Sequence, residues 1–328
     1  MVKVSTTAEL LDALQVADDI EVDGSLSGMP MITLRPGVTL RGGTLRFGAK
    51  GVRLTVDNRI EDVTVLVPDH EVAIGNDTRV PDLGRLTLLN VRTRGQVLLL
   101  ADGAVRRGHV EVDGLAVASA DMRGRPDRPH GFGVDAMQGG FTLWNRQPDP
   151  AVRITASLKG IAAGTAESPI RGSGVFVAGH GDRAGGTDGG LVDVDVLRTG
   201  SVVTDLISGG VFVVSGARVA AVINGGPVTT MGANDMVLDN WGEVGAWTAR
   251  APVTSHGPRE IGFVNFGTLD VEGAIGGLKV RQGITASGVG SDAVRLVGEV
   301  AGLDEVPMTG AHGQRIVTRM PDEEGGER

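Results

Sequence analysis

Cysteine is absent from the chain, tyrosine is absent too, and aromatic residues of all kinds make up only 3 %. Without cysteine there is no disulfide, no thiolate nucleophile and no cysteine-ligated zinc. Large rings usually dominate globular cores, so their scarcity favours a narrow interior filled with small aliphatic side chains. Positive charge is also in deficit: 31 Lys and Arg stand against 40 Asp and Glu, a net charge of −9. A phosphate backbone is held by clustered cations, so this balance speaks against a nucleic-acid partner. No run of 18 apolar residues occurs, and no membrane span is expected. The opening MVKVSTTAELL lacks an apolar h-region. It reads as the start of a soluble cytoplasmic protein, or of a secreted one whose leader has been removed.

What the chain has in excess is glycine, 52 of 328 residues, well over twice the usual ~7 %. Its use is plainest between Gly189 and Gly226. Four Val- and Ile-rich runs, Leu191–Leu197, Ser201–Ile207, Val211–Ser215 and Arg218–Ile223, are each punctuated by Gly, Thr-Gly or Ser-Gly. In the first, Val192, Val194 and Val196 share one face while Asp193 and Asp195 share the other, the period of a half-buried strand. Three such strands with their bends take roughly 25 residues, about one coil of a parallel β-helix. Further strands are expected at Asp19–Val22, Met31–Leu34, Val38–Leu40, Thr44–Phe47, Val52–Val56 and Val63–Val67. More follow at Leu86–Val91, Gln96–Leu100, Val110–Val112 and Leu115–Ala118. Val63, Leu86 and Val110, taken as analogous first strands, lie 23 and 24 residues apart, a steadier pitch than the loops of a sandwich require. Residues 5–17, with Thr6 or Thr7 as cap and Leu10, Leu11, Leu14 and Ala17 on one face, are expected to form a helix closing the open end of the stack.

A capping helix, then PGVTLRGGTLRF over Pro36–Phe47, then coils of about 23 residues resembles the pectate-lyase-like right-handed parallel β-helix superfamily. The resemblance implies an all-β, single-domain right-handed solenoid, with the helix in 1–18, coils over 19–320 and a disordered tail over 321–328. Many of its members act on carbohydrates as lyases, hydrolases or fructan-converting transferases, while others are structural. It leaves open a Ca²⁺ ion held by Asp residues of successive coils, as in pectate lyases; no other cofactor is indicated.

Three polar, Gly- or Pro-rich stretches, 119–150, 162–190 and 239–260, are expected to leave the coils as long loops and build a binding surface. In the last, Asp239 and Glu260 could pair as general acid and base, joined by His256. Trp241 and Trp247 could stack on a sugar ring beside Asn240, and Arg259 could clamp a carboxylate. The second holds His180, Asp182 and Arg183. Here Gly179-His180-Gly181 is similar to the Gly-His-Gly motif of polygalacturonase-like hydrolases, without their paired Asp motif before it or Arg-Ile-Lys motif after it. The first loop offers Asp135 and Trp144; Phe132, Phe141 and Trp144 could equally form a satellite core. The expected activity is cleavage or rearrangement of a glycosidic bond in an oligosaccharide or other small glycoside. The rivals are a non-catalytic binding or assembly solenoid, able to form homo-oligomers, and an intracellular isomerase or cyclase.

Overall fold

A computed structural model describes residues 1–131, 134–181, 189–206, 209–259, 261–266, 268–269, 277–296, 308–310 and 316–318. The chain winds as an all-β parallel β-helix in which each coil gives one strand to each of three faces. The first and second faces belong to one 20-stranded sheet, because long strands such as Asp82–Arg94 bend through both. The third face is a separate 11-stranded sheet. Parallel strands cannot be joined by tight hairpins. A solenoid meets that limit by reaching each neighbour only after a full turn.

The interior is built from residues repeated in register. On the first face Ile20, Leu40, Ile60, Leu88, Val112, Leu158, Leu197, Val222 and Trp247 follow one another from coil to coil. All of them are fully buried. Leu26, Leu45, Val65, Thr93, Val117, Ala163, Val202, Val228, Val253 and Ile284 form the matching row on the second face. Ile32, Val52, Ile74, Val97, Phe141, Val175, Val211, Leu238, Phe263 and Val294 form that of the third. These rows meet in one apolar cluster running from Val4 to Met308.

The corner between first and second faces needs a left-handed residue. Asp62 (φ 56°), Asn90 (φ 50°), Gly114 (φ 74°) and Gly160 (φ 66°) supply it, residue types for which that region is least costly. At Gly114 there is a second reason, since a Cβ there would lie 2.8 Å from Asn90 Oδ1.

The expected helix is present over Thr7–Val16. Thr6 and Glu9 form a reciprocal capping box, and Leu10, Ala13 and Leu14 enter the core. The loop expectation for 239–260 is overturned. Those residues contain the regular strands Glu243–Ala249 and Val253–Ser255, in register with the coils on either side. Likewise 119–150 and 162–190 are only partly loop, for Gly139–Asn145 and Ser173–Ala178 are buried strands within them. Within 239–259, Asn240 and Gly242 mark a corner rather than a departure from the coil. The pitch also differs from the even step expected. Leu86 lies on the first face, where the preceding coil supplies Arg59–Glu61, while Val63 belongs to the bend after it. With a single apolar residue between two charges, Arg59–Glu61 leaves no visible period. The expected tail, 321–328, lies outside the described residues.

Leu158 tests the interior row. Leu158→Ala is expected to cost about 2–5 kcal/mol of unfolding free energy in urea titration, while the adjacent exposed change Lys159→Ala stays within about 0.5 kcal/mol. Equal costs for the two would mean that the row does not carry the core.

Candidate functional site

The residues singled out in the sequence divide among separate environments. Trp247 is interior: it is fully buried in the first-face row, its indole N–H donates to Asn224 Oδ1 at 2.8 Å, and its ring meets Phe263 edge-on. It cannot stack on a ligand. Trp144 and Trp241 are on the outside of the third face but are also buried. With Phe176, Phe212 and Phe266 they form a ladder of edge-to-face rings, centroids 4.8–6.5 Å apart, against which Ala136 of the first insertion packs. These two rings form a second apolar layer beneath a cover, and the expectations that Trp241 stacks on sugar and that Trp144 binds substrate are likewise corrected. A satellite core was the alternative for Trp144, and it is what the structure shows; Phe141 instead belongs to the main interior, and Phe132 lies outside the described residues.

Asp239 belongs to that outer layer, in register between Phe212 and Val264. Its carboxyl is completely buried. Burial pushes its pKa well above the usual carboxylate range, and the Trp241 indole only partly opposes this. Burial of this kind favours the neutral form of the carboxyl and seals it from any open cleft. Asn240 serves a corner: its Nδ2 donates to Asn265 Oδ1 at 2.7 Å, and its Oδ1 accepts from the Gly242 N–H. Repetition 25 residues apart, Asn240-Trp241-Gly242 against Asn265-Phe266-Gly267, could have marked both Asn240 and Trp241 as scaffold. His256 and Arg259 are exposed near the corner before the third face, and Arg259 Nε donates to Asn234 Oδ1 at 2.8 Å. Asp135 is exposed on a small hairpin, Val134–Asp135 against His130–Gly131. His180 is half-buried after the strand Ser173–Ala178. Glu260, Asp182 and Arg183 lie outside the described residues.

A different constellation gathers on the outside of the first face. Arg85, His109, Thr155, Asp193, Arg218 and Glu243 form one outward row, each in register with the next. Beside it runs a row poor in side chains, with Ser157 on one coil and Ala220 and Gly245 on later ones. The contrast creates an open groove of about 860 Å³ lined by His109, Thr155, Asp193, Asp195, Arg218 and Glu243. A one-residue bulge shapes its middle: Ala156 pairs with Val194, but Leu158 pairs with Leu197. The added residue breaks the alternation where Asp195 is exposed.

Most charges here are paired. Arg85 meets Glu111 at 3.0 Å, Arg153 meets Asp193 at 2.9 Å, and Arg218 meets Glu243 at 3.0 Å. Asp195 has no cationic partner among the described residues; its Oδ1 accepts the Val196 N–H at 2.6 Å. His109 Nδ1 lies 2.8 Å from Thr155 Oγ1. Burial, then the Arg85 charge, lowers the imidazole pKa below its ordinary value, against the smaller pull of Glu111 and Asp195. The ring is therefore neutral at pH 7 and able to accept a proton. The Ca²⁺ left open by the resemblance does not fit this donor set. Asp193 and Glu243 each face an arginine, and no cluster of three or more His, Asp or Glu able to hold a metal occurs among the described residues.

Comparisons with protein-family models, with curated proteins and with solved structures returned no match. Among the described residues no helix is long and apolar enough to cross a membrane.

Asp239 gives a pH test whose sign is fixed. Its folded pKa is raised, so between the free carboxylate range and that raised value the folded state holds more protons than the unfolded one. Stability is then lost as pH rises from about 4, at up to about 1.4 kcal/mol per pH unit. Asp239→Asn removes the effect. Its melting temperature relative to wild type is expected to climb as pH rises above about 4 and to show no such gain in acid; a pH-independent difference would contradict the burial.

Proposed function

We propose that the protein is a carbohydrate-active enzyme of the pectate-lyase-like superfamily, and that the first-face groove is where a glycosidic bond is cleaved or rearranged. The observation that carries this reading is the neutral His109 in the same open groove as Asp195, the one lining carboxylate without an arginine partner among the described residues. In that role His109 accepts the proton of the attacking water or hydroxyl and returns it to the departing oxygen. Asp195 sets its negative charge against the positive charge that develops at the anomeric carbon. Arg218, whose Nε faces Glu243, lies within the same groove and offers hydrogen bonds to ring hydroxyls. The reading moves the chemistry away from the three stretches singled out in the sequence and onto strands, whose rigidity suits a positioned acid–base pair.

A non-catalytic binding solenoid is the second reading. It is favoured by the ion pairing of Glu111, Asp193 and Glu243 and by the absence of Phe and Trp from the groove lining among the described residues.

A panel of fructans, pectins and small glycosides separates the two. On the enzymatic reading, His109→Gln and Asp195→Asn each lower kcat/KM on the best substrate by about 10²–10⁴-fold, while calorimetric affinity for that glycan changes little. Glycan binding without turnover by the wild type would leave the binding solenoid; neither binding nor turnover would remove carbohydrate altogether.

A further inference from the structure

We propose that Thr155 is a positioning residue for His109: its hydroxyl accepts the Nδ1–H of the imidazole and leaves the Nε2 lone pair as the proton acceptor of the groove. This rests on the reading of His109 as the groove's base, and it adds what makes that residue a base at one particular nitrogen.

A neutral imidazole carries one N–H, and the hydrogen bond at one nitrogen decides which nitrogen stays bare. Thr155 Oγ1 is placed for that decision, 2.8 Å from Nδ1. His109 and Thr155 are register partners on adjacent strands, so the contact is set by the sheet itself rather than by a loop. Threonine is β-branched and has few χ1 choices, which holds the hydroxyl beside the ring. Its direction follows from the charges of the row. The Arg85 cation acts on the ring from the preceding coil, and the Asp193 carboxylate follows Thr155 on the next. Between a cation and an anion the N–H and O–H dipoles align, with both protons toward the anion. Nδ1–H then points to Oγ1, and the hydroxyl proton points toward the Asp193 side. Both charges are partly neutralised, Asp193 by Arg153 at 2.9 Å and Arg85 by Glu111 at 3.0 Å, which weakens that field. Glu111 and Asp195, which also act on the imidazole, lie on its own strand and two coils beyond.

The test needs no substrate. Long-range proton–nitrogen correlation spectra of uniformly ¹⁵N-labelled protein report which nitrogen of each neutral imidazole bears hydrogen. The chain has six histidines, and His109→Gln identifies the relevant pattern by its loss. The wild type is expected to show His109 protonated at Nδ1 and bare at Nε2. Thr155→Val, close to isosteric and suited to a strand, should lose that preference, while Thr155→Ser should keep it. A wild-type ring protonated at Nε2, or a Thr155→Val ring with unchanged tautomer, overturns the proposal. Where the panel above yields a substrate, Thr155→Val should lower kcat by about 10–100-fold with KM nearly constant, by analogy with outer-shell partners of functional histidines. A correct tautomer without turnover would refute the enzymatic reading and leave the positioning contact standing.

Discussion

Parallel pairing in register is the constraint on which the molecule depends. Once a strand pairs with its counterpart one coil on, every inward residue sits on the inward residue of its neighbours, about 4.8 Å away. The interior is therefore a set of rows, and each row accepts only side chains that fit between those above and below. Val, Leu and Ile meet that condition in almost every described coil. Trp247 is an exception that shows the terms. It fits because Asn224 in the preceding coil accepts its N–H and because Phe263 offers an edge from the opposite face. Burying the indole without such an acceptor would leave an unpaired donor in the apolar interior.

The same constraint explains where the scarce rings went. With a narrow interior, Trp144, Phe176, Phe212 and Trp241 collect outside the third face, and something else has to shield them from water. Ala136 contributes to that cover. Gln138 meets Gln96 Nε2 of the preceding coil at 2.9 Å, and Arg146 holds Asp127 at 2.9 Å while lying 5.0 Å from the Trp144 ring. The insertion thus works as part of a second core. A pitch-breaking loop in a solenoid invites reading as the lip of a cleft. Here its tryptophan belongs to packing, as does the buried carboxyl of Asp239, and the groove opens instead on the first face, where a one-residue bulge shapes it.

Much of the scaffold was legible because it is written in short-range terms. The alternation from Val192 to Val194, the corner pairs Pro36-Gly37 and Gly42-Gly43, and the Thr6–Glu9 capping box each carry a local physical meaning. The expected place of Val196 beside Val192 and Val194 is overturned by the bulge, which puts Leu197 inward instead. Strands such as Arg59–Glu61 escaped because one buried residue is too short a signal to have a period. The groove escaped for another reason. His109 and Asp195 are 86 positions apart in the chain, and each looks like the solvated half of an alternating strand. Only the register from one coil to the next sets them around one hollow, and register across insertions of unequal length is not a local property.

The bulge after Val194 turns that hollow into more than a surface trough. Up to that coil a single residue, Ser157, separates the inward pair Ala156 and Leu158. From there on two residues occupy the gap: Asp195 and Val196, then Ala220 and Ala221, then Gly245 and Ala246. The later coils keep the extra residue but fill it with small side chains, so only the first presents a carboxylate there. Arginines on neighbouring coils meanwhile pair with Glu111, Asp193 and Glu243. Exposed pairs of this kind contribute about 0–1 kcal/mol each, so their larger effect is on charge: they neutralise most of the row locally. Among the described lining residues, what remains without an ionic partner is the Asp195 carboxylate and the His109 imidazole, both placed by backbone register. A shift of the bulge by one coil would move the first and leave the second where it is. The position of the exposed carboxylate in the groove is thus tied to a single inserted residue in the sheet.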